Sequence, residues 1–112
     1  MTPLRLIKFN KHVQRILGEI LQRDTDMPAD VLVTITRVDT ASNLFSSDIW
    51  LSILPSERAE EVIEVLTPQL YDIQGALNRA LDQRPLPRIR LRVDYGAEHS
   101  AKINEAINNL DK

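Results

Sequence analysis

Cysteine is absent from the 112-residue chain, which excludes disulfides, zinc–thiolate centres and thiol nucleophiles. Glycine occurs three times, at scattered positions, too few and too far apart for a Gly-rich phosphate cradle. Aromatic residues make up 4% of the chain, so the core must be built from aliphatic side chains. Long apolar runs are also missing. The N-terminal patch of Leu4, Leu6 and Ile7 is broken by Arg5 and Lys8, which fits neither a signal peptide nor a membrane span. A cytoplasmic protein is expected. What is present, 43% hydrophobic and 27% charged residues, suits one compact domain over residues 1–112.

A formal charge of −2 argues at first against nucleic acid, but binding follows local potential rather than the mean. Residues 1–23 carry Arg5, Lys8, Lys11, Arg15 and Arg23 against Glu19, a net +4. Residues 24–78 carry Arg37 and Arg58 against ten acids, a net −8. Residues 79–92 return to +4, with Arg79, Arg84, Arg88, Arg90 and Arg92 against Asp82, and residues 93–112 carry −2. The charges are segregated.

Hydrophobic spacing predicts the element order α-β-β-α-α-β-α, an α+β class. Apolar residues recur every three or four positions from Leu4 to Arg23, with Leu6, Phe9, Val13, Ile16, Leu17, Ile20 and Leu21 on one helical stripe and the cations opposite. Residues 31–40 are β-branched and read as a strand, although Val38 breaks the alternation and points to a bulge near Thr36–Arg37. Ala41 to Leu44 forms a turn, and residues 46–54 alternate cleanly, with Ile49, Leu51 and Ile53 inward. Ser56 is positioned to cap a second helix through Leu66. Thr67 as N-cap with Pro68 at the first helical position predicts a restart, giving a third helix over residues 68–82 with Leu70, Ile73, Leu77, Ala80 and Leu81 as its stripe. Residues 84–87 form an extended link, and Arg88 to Asp94 form a strand that puts three arginines on one face. A last helix would pack Ile103, Ile107 and Leu110.

Catalytic chemistry finds little support. His12 and His99 stand far apart on polar helix sides, and Glu57, Glu60, Glu61 and Glu64 read as one solvated helix face. No nucleophile elbow or metal-binding helix motif occurs. The arginine stripe admits two readings. Three guanidiniums at period two repel one another unless an anion lies across them. That anion is either internal, Asp48 on the neighbouring strand, with Trp50 offering a cation–π face, or it is the phosphate of a bound nucleic acid. The second cationic group, on the outer arc of the first helix, favours phosphate. The candidate RNA-binding residues are therefore Lys8, Lys11, Arg15, Arg79, Arg84, Arg88, Arg90 and Arg92, with no metal or nucleotide cofactor required. The rival is a protein-interaction module that uses the acidic middle segment.

An ordered set of strings resembles the ribosome-binding factor A family: Ile16-Leu17-Gly18-Glu19-Ile20-Leu21, Val33-Thr34-Ile35-Thr36-Arg37-Val38, Asn43-Leu44, Ile49-Trp50-Leu51-Ser52-Ile53-Leu54, Leu77 with Leu81, and Pro87 followed by the alternating strand and Asp94. The resemblance covers the chain from about Lys8 to Leu110. It implies a type II KH-like domain: a three-stranded mixed sheet packed against helices, without the GxxG nucleotide clamp. It further implies a non-enzymatic factor that binds rRNA of the small ribosomal subunit precursor and promotes late maturation and rRNA processing; a monomer is expected. Several positions depart from the family pattern. Gln69-Leu70-Tyr71 stands where the family has Ala-x-Gly, Gln74 where it has arginine, Asp48 where it has lysine, Arg88 where it has glutamate, and Gly96 where it has serine.

Overall fold

Helix α1, Leu4–Arg23, forms where the sequence predicts it, because its apolar residues fall on one stripe and Val13, Leu17, Ile20 and Leu21 are buried along it. The structure is a computed structural model that describes residues 3–82 and 86–96. The expected C-terminal helix with Ile103, Ile107 and Leu110, as well as Arg84 and His99, lies outside the described residues. Helix α1 stops as Thr25 Oγ1 donates to the Leu21 carbonyl at 2.6 Å, and the Asp24 N–H closes on Ile20 at 2.8 Å.

Strands β1 (Leu32–Thr40) and β2 (Ser46–Leu54) pair antiparallel, and the register slips between Ile35 and Arg37. This is the bulge that Val38 announces. Ile35 faces Leu51 and Arg37 faces Trp50, leaving Thr36 as the extra residue. Through that one-residue excess Ile35 and Val38, three positions apart, both reach the core. Strand β3 (Arg88–Val93) lies parallel to β2 on its other side, so the sheet is mixed, in the order β1-β2-β3.

Between β2 and β3 run helices α2 (Ala59–Leu66) and α3 (Leu70–Ala80). The structure corrects three local expectations here. Ser56 makes no side-chain cap; residues Ser56–Arg58 form a 3-10 turn whose Ser56 carbonyl accepts the Ala59 N–H. Thr67 is not an N-cap either. Its backbone is helical and its hydroxyl donates back to the Ile63 carbonyl at 2.6 Å, so a 3-10 turn over Thr67–Gln69 carries α2 into α3 without an extended residue between them. Ala80 ends α3 exposed rather than on its buried stripe, because the chain turns extended at Leu81, which takes the core position.

Helices α1, α2 and α3 contribute to one core. Leu17, Val62, Leu66 and Leu77 meet Ile35, Ile49, Leu51, Ile53 and Ile89 from the inner face of the sheet, each of them under 10% exposed. The direction of α1 over this layer is fixed by two hydrogen bonds. Gln14 Nε2 donates to the Ile35 carbonyl at 2.9 Å, and the Thr40 hydroxyl donates to Asn10 Oδ1 at 2.6 Å. Helix α1 therefore runs antiparallel to β1, and its first turns reach the end of the sheet that holds the β1–β2 turn and the start of β3.

Candidate nucleic-acid interface

The outer face of the sheet follows from the pleat. With Ile49, Leu51 and Ile53 turned inward, β2 presents Asp48, Trp50 and Ser52 outward, and β3 adds Arg88, Arg90 and Arg92. The parallel register sets Asp48 beside Arg90 and Trp50 beside Arg92. Arg90 Nε donates to Asp48 Oδ1 at 2.9 Å, and Arg92 Nε stands 3.7 Å from the same oxygen. One carboxylate thus holds two guanidiniums, each of whose side chains is still about half exposed, at 53% and 48%. The internal-anion reading therefore applies to Arg90 and Arg92. It does not extend to Arg88, whose side chain makes no ion pair among the described residues.

Trp50 is half-buried and does stack with an arginine, though from the other side than the stripe: Arg37 of β1 lies 4.8 Å from its ring centroid. The indole N–H is buried without a hydrogen-bond acceptor among the described residues. At the far edge of this face Asp94 Oδ2 accepts the Thr36 hydroxyl at 2.8 Å, while Oδ1 accepts the Gly96 N–H at 3.0 Å. These bonds, the backbone one first, hold the Asp94 carboxyl below the usual aspartate range.

The α1 cations occupy a different surface. Lys8, Lys11 and Arg15 are exposed on the arc turned away from the sheet. Arg15 contacts His12 Nδ1 at 3.2 Å and Glu19 at 3.6 Å, whereas Lys8 and Lys11 make no ion pair among the described residues. Arg79 belongs to neither group. Its guanidinium folds back over Gly75, and it lines a cleft of about 340 Å³ together with Asp24 and Asp72 between α1 and α3. The cations read from the sequence are therefore divided between the helical layer and the opposite sheet face.

They approach one another at one end. The first turns of α1, the β1–β2 turn and the start of β3 share that end, and the Arg88 N–H bonds the Phe45 carbonyl at 3.0 Å. Residues 3–18, 40–47 and 86–93 contain no acid. Two residues escaped the sequence reading, one at this end and one at mid-sheet. Phe45, in the turn before β2, is 75% exposed, and Arg37 is committed to Trp50. An aromatic side chain next to a turn of small polar residues was the available sign of the first.

A family model described as ribosome-binding factor A matches residues 5–107. The chain belongs to the ribosome-binding factor A family. Ribosome-binding factor A of Fusobacterium nucleatum is 30% identical over 118 residues, covering 98% of each chain. The solution structure of a Thermotoga maritima protein superposes with a TM-score of 0.68 at 29% identity, over 88% of this chain and 95% of that one. Ribosome-binding factor A of Thermus thermophilus, as fitted into a cryo-EM map of its 30S complex, gives a TM-score of 0.59 at 21% identity, over 74% and 88% of the two chains. The α+β architecture with a mixed three-stranded sheet is thus that of ribosome-binding factor A, and the chain is a ribosome-binding factor by family.

Proposed function

We propose that this chain binds the small ribosomal subunit while it is being assembled, contacts the rRNA of the precursor directly, and promotes late maturation and rRNA processing without catalysing a step. The Thermus thermophilus relative, described in complex with the 30S particle, supports the choice of partner. The observation that carries the RNA reading is the end of the sheet where acid-free stretches of α1, the β1–β2 turn and β3 converge, with Asp39 and Asp48 just inside it. There Lys8, Lys11 and Arg88 stand exposed and free of ion pairs among the described residues. Arg15 extends the surface along α1, and Arg90 and Arg92 extend it across the sheet in competition with Asp48. The chain works as one domain and one copy, in the cytoplasm where such precursors are built, and electrostatic contact needs no metal or nucleotide cofactor.

Phosphate contacts release counterions, so affinity falls with salt in proportion to their number. Binding of the purified protein to small-subunit particles, followed from low to physiological salt, should weaken steeply. The combined variant Lys8→Ala, Lys11→Ala, Arg88→Ala should flatten the log–log slope by about two to three units. A flat response in the wild type would defeat the proposal.

A further inference from the structure

Phe45 is an apolar ring at the end of the sheet shared by Arg88 and the first turns of α1, and it has no place in the core formed by the described residues. It is 75% exposed and outside the core cluster. Its turn is nevertheless well determined. Leu44 holds a left-handed backbone at φ 65°, a region that leucine seldom enters. The turn is closed by the Leu44 N–H on the Ala41 carbonyl at 2.8 Å and by the Phe45 N–H on Asn43 Oδ1 at 2.9 Å. The bond from the Arg88 N–H to the Phe45 carbonyl then ties the ring's backbone to the first residue of β3.

The backbones of Phe45 and Arg88 are thereby held one strand spacing, about 4.8 Å, apart, within the span of one nucleotide. An exposed ring whose backbone is tied to that of an uncommitted arginine is a poor arrangement for packing against apolar protein, since burying the arginine with it would strand a charge. It matches the two-part chemistry of an unpaired nucleotide, whose base offers a π-face and whose phosphate takes an arginine fork. Of the nearest acids, Asp48 is already engaged by Arg90 and Arg92, and Asp39 on β1 is separated from Arg88 by β2.

We propose that Phe45 and Arg88 form a single-nucleotide site, in which the ring stacks on an unpaired base of the bound RNA and the guanidinium takes its phosphate. This rests on the reading that the chain binds rRNA, and it adds what that reading leaves open: a preference for unpaired over duplex RNA.

The test uses the full chain and a small-subunit rRNA fragment with a single-stranded loop, compared with the same fragment closed into duplex by a complementary strand. Phe45→Ala should weaken binding to the looped fragment on the order of tenfold, with an unchanged salt slope, and leave duplex binding untouched. Phe45→Trp should restore it. Arg88→Ala should lower the slope by about one unit on the looped fragment. Phe45 is solvent-exposed, so Phe45→Ala should melt as the wild type does. If the wild type binds the loop and Phe45→Ala binds it equally well, the nucleotide site is wrong while the RNA reading stands. An equal loss on duplex and loop overturns the site as well, as does a loss confined to intact particles, which would assign the ring to a protein neighbour. If the wild type binds neither fragment, the RNA reading itself fails.

Discussion

Asp48 decides how much of the sheet face is available to a ligand. It accepts Arg90 at 2.9 Å and stands 3.7 Å from Arg92, so it relieves the mutual repulsion of the stripe and occupies its donors at once. An ion pair this exposed stabilises the fold by about 1 kcal/mol at most, whereas a phosphate with two acceptor oxygens competes well for a guanidinium fork. Asp48→Asn should therefore change the unfolding midpoint little, strengthen RNA binding, and steepen the salt slope by about one to two units. Unaltered affinity would show that Arg90 and Arg92 serve the sheet alone. Asp94 is a different kind of carboxylate. The Gly96 N–H and the Thr36 hydroxyl favour its ionised form, so its folded-state pKa is depressed. Its contribution to stability is then full above the unfolded value of about 3.9 and is lost as the pH falls through the lower folded value. Denaturation of Asp94→Asn should show a deficit near pH 6 that narrows below about pH 4; a gap independent of pH would mean that the carboxylate charge contributes nothing.

Among the elements, α1 carries the largest division of labour, with its inner stripe in the core and its outer arc in solvent. Leu17 is 1% exposed, so Leu17→Ala should cost about 2–5 kcal/mol in denaturant unfolding, while Lys11→Ala should stay within about 0.5 kcal/mol. Equal costs would contradict the packing described for this helix. The elements were legible in the sequence because burial imposes a period. The alternation of β2 and β3 marks their inner faces, and Val38, out of step with Ile35, marks the bulge. What was not legible lacks a period. Thr67-Pro68 carries the local chemistry of a helix start, but tertiary packing keeps the chain helical there, and the hydroxyl of Thr67 turns back to Ile63. Arg79 reads as one of a cationic run, yet its side chain folds over Gly75, toward a cleft it shares with Asp24 and Asp72. The engagement of Asp48 was foreseeable as a possibility from strand alternation, but choosing it over phosphate for Arg90 and Arg92 needed the parallel register.

At the scale of the whole molecule, the antiparallel run of α1 over β1 turns a segregation along the chain into one in space. The acid-free segments meet at one end of the sheet. Asp24, Asp26 and Asp30 follow α1 at the opposite end, where Gln69, just before α3, bonds the Asp26 backbone at 2.8 and 2.9 Å. The same alignment governs collisions. Fields of this kind are screened within about 8 Å at physiological salt, so they act in the last moments before touching. An approach to a phosphate-coated particle with the acidic end forward is repelled, and one with the basic end forward is drawn in and rotated toward contact. On the proposed RNA reading, Asp24, Asp26 and Asp30 at the far end would thereby reject the upside-down pose.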